Sequence, residues 1–397
     1  MNILVANLGS TSFKYRLFSL QGESARLLAR GGFERVTNHS TAIDQALGEL
    51  ADAGLVRGPD DLAAVAFKTV LGGDVTGCVL ADERVEEALL ATSDIAPAHN
   101  PAYAEGLRVF RARLPNVPRV ALFETAFYQW VPDYARRYAV PEAWYLAGIR
   151  RYGFHGASHK FIAERSAELL GRDDVAAAVR RLYLDGPRVI PGAPVRVISC
   201  HLGGSSSVTG ISDGVAIGTS MGLSPQSGLP QNNRVGDLDS AAFPTAMRRL
   251  NLSAEQVEHA LTKASGLLGL SGVSNDLRDI KAAADRGDKR AQIAIDVYVH
   301  AIRHWVGAFW FDLGGCDALV FTGGIGENNP WLREAVCAGL SDLGLDLDCE
   351  RNTANAPESD LAANESRTRV FAIPANEELV VAREAARLLT NLHVARP

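Results

Sequence analysis

Cysteine is scarce and scattered. Five residues (Cys78, Cys200, Cys316, Cys337, Cys349) are spread over 397 positions, and none falls in CxxC spacing. A disulfide framework or a zinc site is therefore not expected, and reduced thiols fit a cytoplasmic location. No apolar run approaches the roughly 20 residues that a membrane-spanning helix requires. The opening Asn2-Ile-Leu-Val-Ala reads as a strand, not as the basic stretch and apolar core of a signal peptide. Charge of one sign is also lacking. A formal net charge of −6 gives no electrostatic reason to expect nucleic acid or an anionic membrane as a partner. Two familiar nucleotide signatures are missing as well, since there is neither a GxxxxGK[ST] loop nor a strand-linked GxGxxG. Any phosphate binding must use another geometry.

What is present is an ordinary globular composition, 47% hydrophobic, on a chain too long for one core, so two domains are expected. Ile3 to Phe18 reads as a hairpin with a Gly/Ser/Thr tip, and Val195 to Ile211 repeats it. Leu8-Gly9-Ser10-Thr11-Ser12 lies over Leu202-Gly203-Gly204-Ser205-Ser206, which points to duplication of one unit. Helical spacing marks 41–56, 84–92, 100–114, 254–264, 288–312, 330–343 and 376–389. Short apolar runs at 63–67, 120–124, 317–321 and 368–373 suit buried strands. Residues 173–194, with basic residues and three prolines, are expected to be a helix end and a surface excursion. Repeated strand–helix alternation gives an α/β architecture.

Several segments carry groups suited to anion chemistry. The loops Asn7 to Ser12 and His201 to Ser207, with Ser10, Gly203 and Gly204 at their tips, offer backbone N–H groups for a phosphate, or are simply tight turns. Lys14 shares a strand face with Ser12. Thr322-Gly323-Gly324-Ile-Gly326-Glu-Asn328 runs from a strand through a glycine-rich turn to a helix start, where negative charge is favoured. Asp276 and Arg278 open another helix, as nucleotide contacts or behind an N-cap at Ser274 or Asn275. Arg234 lies in a polar loop, either at the surface or positioned to stabilise a transferring phosphoryl group. His155 and His159 stand four apart without the glutamate of HExxH, so His155 reads as a hydrogen-bond donor near an anion and His159 as its structural neighbour.

The ordered segments NLGSTSFKY (7–15), APAHNPA (96–102), FETAFYQ (123–129), YGFHGASHK (152–160), SCHLGGSSS (199–207), TSMGLSP (219–225), SGVSNDLRD (271–279), FTGGIGEN (321–328) and IPANEEL (373–379) together resemble the acetate kinase family. That family includes propionate and butyrate kinases. The resemblance implies a duplicated ribonuclease H-like fold of the actin and sugar-kinase type, with ATP/ADP, Mg2+ and a small carboxylate in an interdomain cleft, and a cytoplasmic homodimer. It implies one lobe of residues 1–148 plus 376–397 and a nucleotide-binding lobe of 149–375. By the same resemblance Asn7, Ser10, Ser12 and Lys14 line the phosphate site, joined by His201, Gly203 and Gly204. Asp276, Arg278, Gly323, Gly324, Gly326 and Asn328 face the nucleotide, Glu377 with Asn7 holds the metal, and Arg234 and His155 stabilise the transition state. Val70, Phe154 and Pro225 shape the acyl pocket. The aromatic stretch Val297 to Phe311 offers a dimer interface or ordinary core.

The chain also departs from that pattern. Lys68 stands where the family has a carboxylate-binding arginine, Glu124 where it has a catalytic aspartate, and Ala98 where it has a leucine of the acyl pocket. Lysine lacks the planar fork of arginine, whereas glutamate reaches one methylene further, so a shorter cation meeting a longer anion can keep a contact closed. Lys68, Ala98 and Glu124 suggest an acceptor larger or more polar than acetate. Two other readings stand beside this one. One is phosphorylation of a hydroxyl with Glu124 as base; the other is a regulatory nucleotide binder with a blunted site.

Overall fold

The computed structural model describes residues 1–97 and 99–394, the side chain of His393 aside. Two six-stranded sheets organise the chain. The first comprises β1 (Asn2–Gly9), β2 (Ser12–Gln21), β3 (Ser24–Glu34), β4 (Ala64–Thr69), β5 (Cys78–Leu80) and β6 (Arg119–Phe123). The second comprises β7 (Arg196–Leu202), β8 (Ser206–Ser212), β9 (Val215–Thr219), β10 (Ala318–Thr322), β11 (Ser359–Asp360) and β12 (Arg369–Ala372). Their spatial orders are β3-β2-β1-β4-β6-β5 and, from the matching edge, β9-β8-β7-β10-β12-β11.

Each sheet therefore starts with an antiparallel meander, continues through two parallel crossovers and ends on an antiparallel edge strand. Even the irregularity recurs: register shifts at Leu17/Phe18 in the first meander and at Gly210/Ile211 in the second. The sequence offset between the two hairpins marks this duplication. The central strands β1, β4, β7 and β10 are almost wholly buried, as parallel strands covered by helices on both faces must be.

The helix Glu377–Val394 returns to pack on β1, β2, β4, β5 and β6 of the first sheet. The helix Gly156–Leu169 lies against both this helix and the strands β6, β7 and β10, and eleven of its fourteen residues are buried. Its neighbour Asp173–Asp185 corrects the sequence reading: thirteen residues form a full helix, and the surface excursion is confined to the stretch after it, up to β7. Val175, Ala176, Val179 and Leu182 give it a buried face that outweighs its basic residues. The segment expected as one helix over 330–343 is shorter, Pro330–Cys337, because Ala338 is extended and Gly339 takes φ 71°. The strands β3, β5, β9 and β11 carried no recognisable sequence signal. All five cysteines are free thiols.

Between the two long helices Lys160 donates to Glu384 at 2.7 Å, with side chains only 1% and 2% exposed. Arg387 donates to the same carboxylate. Among the described residues Glu384 therefore serves two cations, whereas Lys160 has a single carboxylate partner. Glu384→Gln is expected to cost about 3–5 kcal/mol, because it strands a buried ammonium. Lys160→Met should cost less, since Arg387 still neutralises Glu384. Denaturant unfolding of the two variants checks this, and a larger loss for Lys160→Met would overturn it.

Candidate active site

The ends of β4 and β6 and the first turn of the C-terminal helix meet at one nitrogen. Lys68 Nζ lies 2.6 Å from Glu377 Oε2 and 3.0 Å from Glu124 Oε1, with all three side chains largely buried. Burial works against the charge on Lys68, but the two carboxylates outweigh it and hold the ammonium protonated well above its usual range. The carboxylates part company. Burial raises Glu124 above the ordinary carboxylate range, while for Glu377 burial is overridden by the attraction of Lys68, which lowers it. Glu124 Oε2 is buried and has no hydrogen-bond partner among the described residues.

Behind Glu124 the backbone fixes the next element. The N–H of Gly156 donates to the Glu124 carbonyl at 2.9 Å, and a Cβ at Gly156 would lie 2.2 Å from that oxygen. Only glycine permits this approach, so the helix starts at Gly156, with His155 held left-handed at φ 61° as its cap. Three histidines then gather over β7. The rings of His155 and His201 stack at 4.1 Å, and His159 lies about as far from one as from the other, at 6.4 and 6.1 Å. Serines orient them: Ser207 contacts both His155 Nδ1 and His159 Nε2 at 2.8 Å, Ser199 contacts His159 Nδ1, and Ser158 contacts His201 Nδ1. Burial first, then mutual repulsion, pushes His155 and His159 well below the ordinary histidine range. His201 is also lowered by burial, with Glu377 partly opposing. All three are neutral at pH 7.

The loop carrying Arg234 folds against the second hairpin tip. Gln231, buried at its base, accepts from Ser205 and from Arg234 and donates to the Pro225 carbonyl at 2.6 Å. Arg234 also reaches Ser205 and Pro225. The Asn232 N–H meets the Gly204 carbonyl. Burial lowers the Arg234 pKa, and the charges of Arg234 and Lys68 both act on His155. Arg234, His155, His201, Lys68, Glu124 and Glu377 thus form one electrostatic neighbourhood.

Asn7 accepts from the Tyr103 hydroxyl at 2.9 Å, and that buried hydroxyl in turn senses Lys68. Val70 is buried just beyond β4, and Phe154 is buried with its carbonyl taken by Tyr128. Gly323, at φ 77°, lies so close to the end of β7 that a Cβ would sit 2.6 Å from the Leu202 carbonyl. The glycine turn and the second hairpin therefore share one corner. A helix starts there at once, Gly323–Asn328, and holds Gly324, Gly326 and Asn328. Space around Gly324 is open, Gly326 is buried, and Asn328 folds back on the Gly324 carbonyl.

Other expected residues engage elsewhere. Lys14 pairs with Glu34 and is 61% exposed. Ser10 is exposed and Ser12 half-buried at the first hairpin tip. Asp276 and Arg278 bind one another. The N-cap of their helix is Asp276 itself, not Ser274 or Asn275, because its carboxylate accepts from the Arg278 N–H while Ser274 turns to Asp279. Ala98 lies outside the described residues. Ser158, Ser199 and Ser207 were not singled out from the sequence, although the motifs 152–160 and 199–207 hold matched sets of histidine and serine that only contact could pair. Among the described residues no group of three or more His, Cys, Asp or Glu side chains is arranged to hold a metal ion, and no helix is long and apolar enough to cross a membrane.

Comparison with known proteins shows the family. The model of the Acetokinase family matches residues 32–182 and 187–383. The acetate kinase of Treponema denticola is 39% identical, with 98% of this chain and 100% of the relative covered. The crystal structure of Porphyromonas gingivalis acetate kinase superposes with a TM-score of 0.87 at 31% identity, covering 98% of this chain and 99% of that one. A propionate kinase from Francisella tularensis gives 0.83 at 30%, covering 97% and 99%. Matched along nearly its whole length by the family model, by these relatives and by their duplicated two-sheet fold, the chain belongs to the acetokinase family.

Proposed function

We propose that this protein transfers the γ-phosphoryl group of ATP reversibly to the carboxylate of a small acid, giving an acyl phosphate and ADP. The observation that carries this reading is the buried ammonium of Lys68 beside Arg234 and neutral imidazoles. Such a set neutralises a carboxylate acceptor and the charge spread over a transferring phosphoryl group, and it needs no strong base, because the acceptor is already ionised at pH 7. In the transfer an acid oxygen bonds to phosphorus while the bond from phosphorus to the ADP oxygen breaks, and no proton need move.

Arg234 stabilises the equatorial oxygens from the loop that Gln231 fixes. The serine–histidine chain is coupled to the tautomer of His155. Each of these bonds can run in either direction with the tautomer; in the direction where Ser207 donates to His155 Nδ1, His155 Nε2–H is free to donate to an anionic oxygen. The tips 7–12 and 203–205, with the glycine turn at 323–326, receive the phosphate chain and nucleotide. The donor set suits Mg2+, a hard cation preferring oxygen ligands, because Glu124 Oε2 is an unpaired buried acceptor and Glu377 and Asn7 add oxygens. Bound there, Mg2+ would neutralise phosphate charge. The two lobes are 1–148 with 376–397 and 149–375, a division supported by the packing of Glu377–Val394 on the first sheet. Exposed Ile293, Val297 and Phe311 on the helix Lys289–Asp312 support a homodimer. The cytoplasm, with ATP and Mg2+ available, is the expected setting.

Because Lys68 offers a point charge and Glu124 closes on it, the preferred acid is larger or more polar than acetate. A hydroxamate-trapping assay with ATP and Mg2+ across a panel of acids tests both statements. Trapped product with at least one acid is expected, with acetate below the best substrate, and Lys68→Arg should move the ranking toward acetate. The raised carboxyl of Glu124 favours a second reading, general-base transfer to a hydroxyl. No trapped product with any acid, together with ATP consumption driven by an alcohol, would select it.

Arg234→Ala should lower kcat by about 10^3-fold or more with little change in melting temperature. Near-native turnover in steady-state assays would remove Arg234 from the mechanism. His155, His159 and His201 have folded-state pKa values below the unfolded value of about 6.5, so the unfolded chain binds more protons. Their contribution to stability is complete above about pH 6.5 and declines as pH falls below it. The urea midpoint should therefore drop between about pH 7.5 and about pH 5.5, with a shallower drop in His159→Gln; an equal drop in both proteins would contradict buried neutral histidines.

A further inference from the structure

A cavity of about 290 Å³ lies beside the segment that follows Glu124, lined in part by Arg136, Arg150, Arg151, Thr76, Gln129 and Asp74. Its charge balance is uneven. Three guanidinium groups face it against one carboxylate, and that carboxylate, Asp74, is 95% exposed where it meets Arg150. Arg136 has only a long contact, 3.4 Å, to the Gln129 carbonyl. The Arg151 guanidinium lies over the Tyr138 ring, and its buried Nη1 has no hydrogen-bond partner among the described residues. Burying part of a guanidinium without a partner is costly, and an orphaned donor in a folded protein calls for an explanation. Arginine forks and neighbouring hydroxyls, here Thr76 and Thr125, are the usual means of binding oxyanions with more than one charge.

We propose that this cavity is a second anion site, separate from the transfer site, that takes a compact multivalent oxyanion of the phosphate class. The occupant neutralises Arg136 and the part of Arg151 that lines the cavity, and it ties together the segments around 73–76, 125–129, 136 and 150–152.

The probe is inorganic phosphate, titrated calorimetrically into Arg234→Ala protein so that the transfer site is weakened, with sodium chloride at matched ionic strength as control. Phosphate should bind this protein and should bind about tenfold more weakly, or not at all, when Arg136→Gln is added. Arg136 is half-buried with one weak contact, so that change leaves the fold intact. Arg151→Gln, measured in parallel, should give the same loss. Absence of phosphate binding in the Arg234→Ala protein, or equal affinity with and without either arginine, overturns the site.

Discussion

Everything in the candidate site is arranged around one buried ammonium between two carboxylates. Lys68 ends β4, Glu124 follows β6, and Glu377 starts the C-terminal helix, so three elements far apart in sequence are tied at a single nitrogen. In a low-dielectric setting such a cluster is tolerable only when every charge is answered. Two acids against one base leave a net negative charge and an unpaired oxygen on Glu124. That is the electrostatic condition in which a further cation is welcome, and in which Lys68 can exchange one carboxylate partner for another. The site is thus held in register by the charges its substrates would compete for.

The same constraint reaches the histidines. Glu124 is fixed at its carbonyl by Gly156, which sets where the helix Gly156–Leu169 begins and forces His155 into the left-handed region. From there the rings of His155, His159 and His201 fall onto serines of β7, β8 and the helix itself. Their neutrality follows from burial beside one another. A donor that stays uncharged can approach an anion without repelling Lys68 or Arg234 nearby. Gln231 fixes the loop of Arg234 in the same spirit, by hydrogen bonds from a buried amide.

Much of this was legible in the chain itself. The pairing of Leu8–Ser12 with Leu202–Ser206 implied a duplicated unit, and the two sheets carry the same strand order down to a register shift in each meander. The expectation that a shorter cation and a longer anion keep a contact closed matches the 3.0 Å between Lys68 and Glu124. Less legible were segments whose structure depends on distant partners. Asp173–Asp185 looked like an interrupted stretch because its stabilising face is buried against another helix, information that local composition does not carry. β3 is mostly exposed at a sheet edge and lacks the apolar alternation that would announce it. Asp276 caps the helix where two neighbours offered the same chemistry, because it is the residue held extended at the helix start with its carboxylate on the Arg278 N–H.

The sequence by itself determined the α/β duplication and the hairpin tips, and its motifs marked Lys68, Glu124, His155, Arg234 and Glu377 as candidates, because periodicity and motif are local properties of the chain. Tertiary structure alone decided which partners those groups take. It placed Lys68 between Glu124 and Glu377, gave each histidine its serine, sent Lys14 to Glu34, and left Arg151 at a cavity with no carboxylate partner among the described residues. The physical reason is range. Secondary structure follows from neighbours a few residues away, whereas burial, charge pairing and orphaned donors arise only when segments hundreds of residues apart are packed into contact.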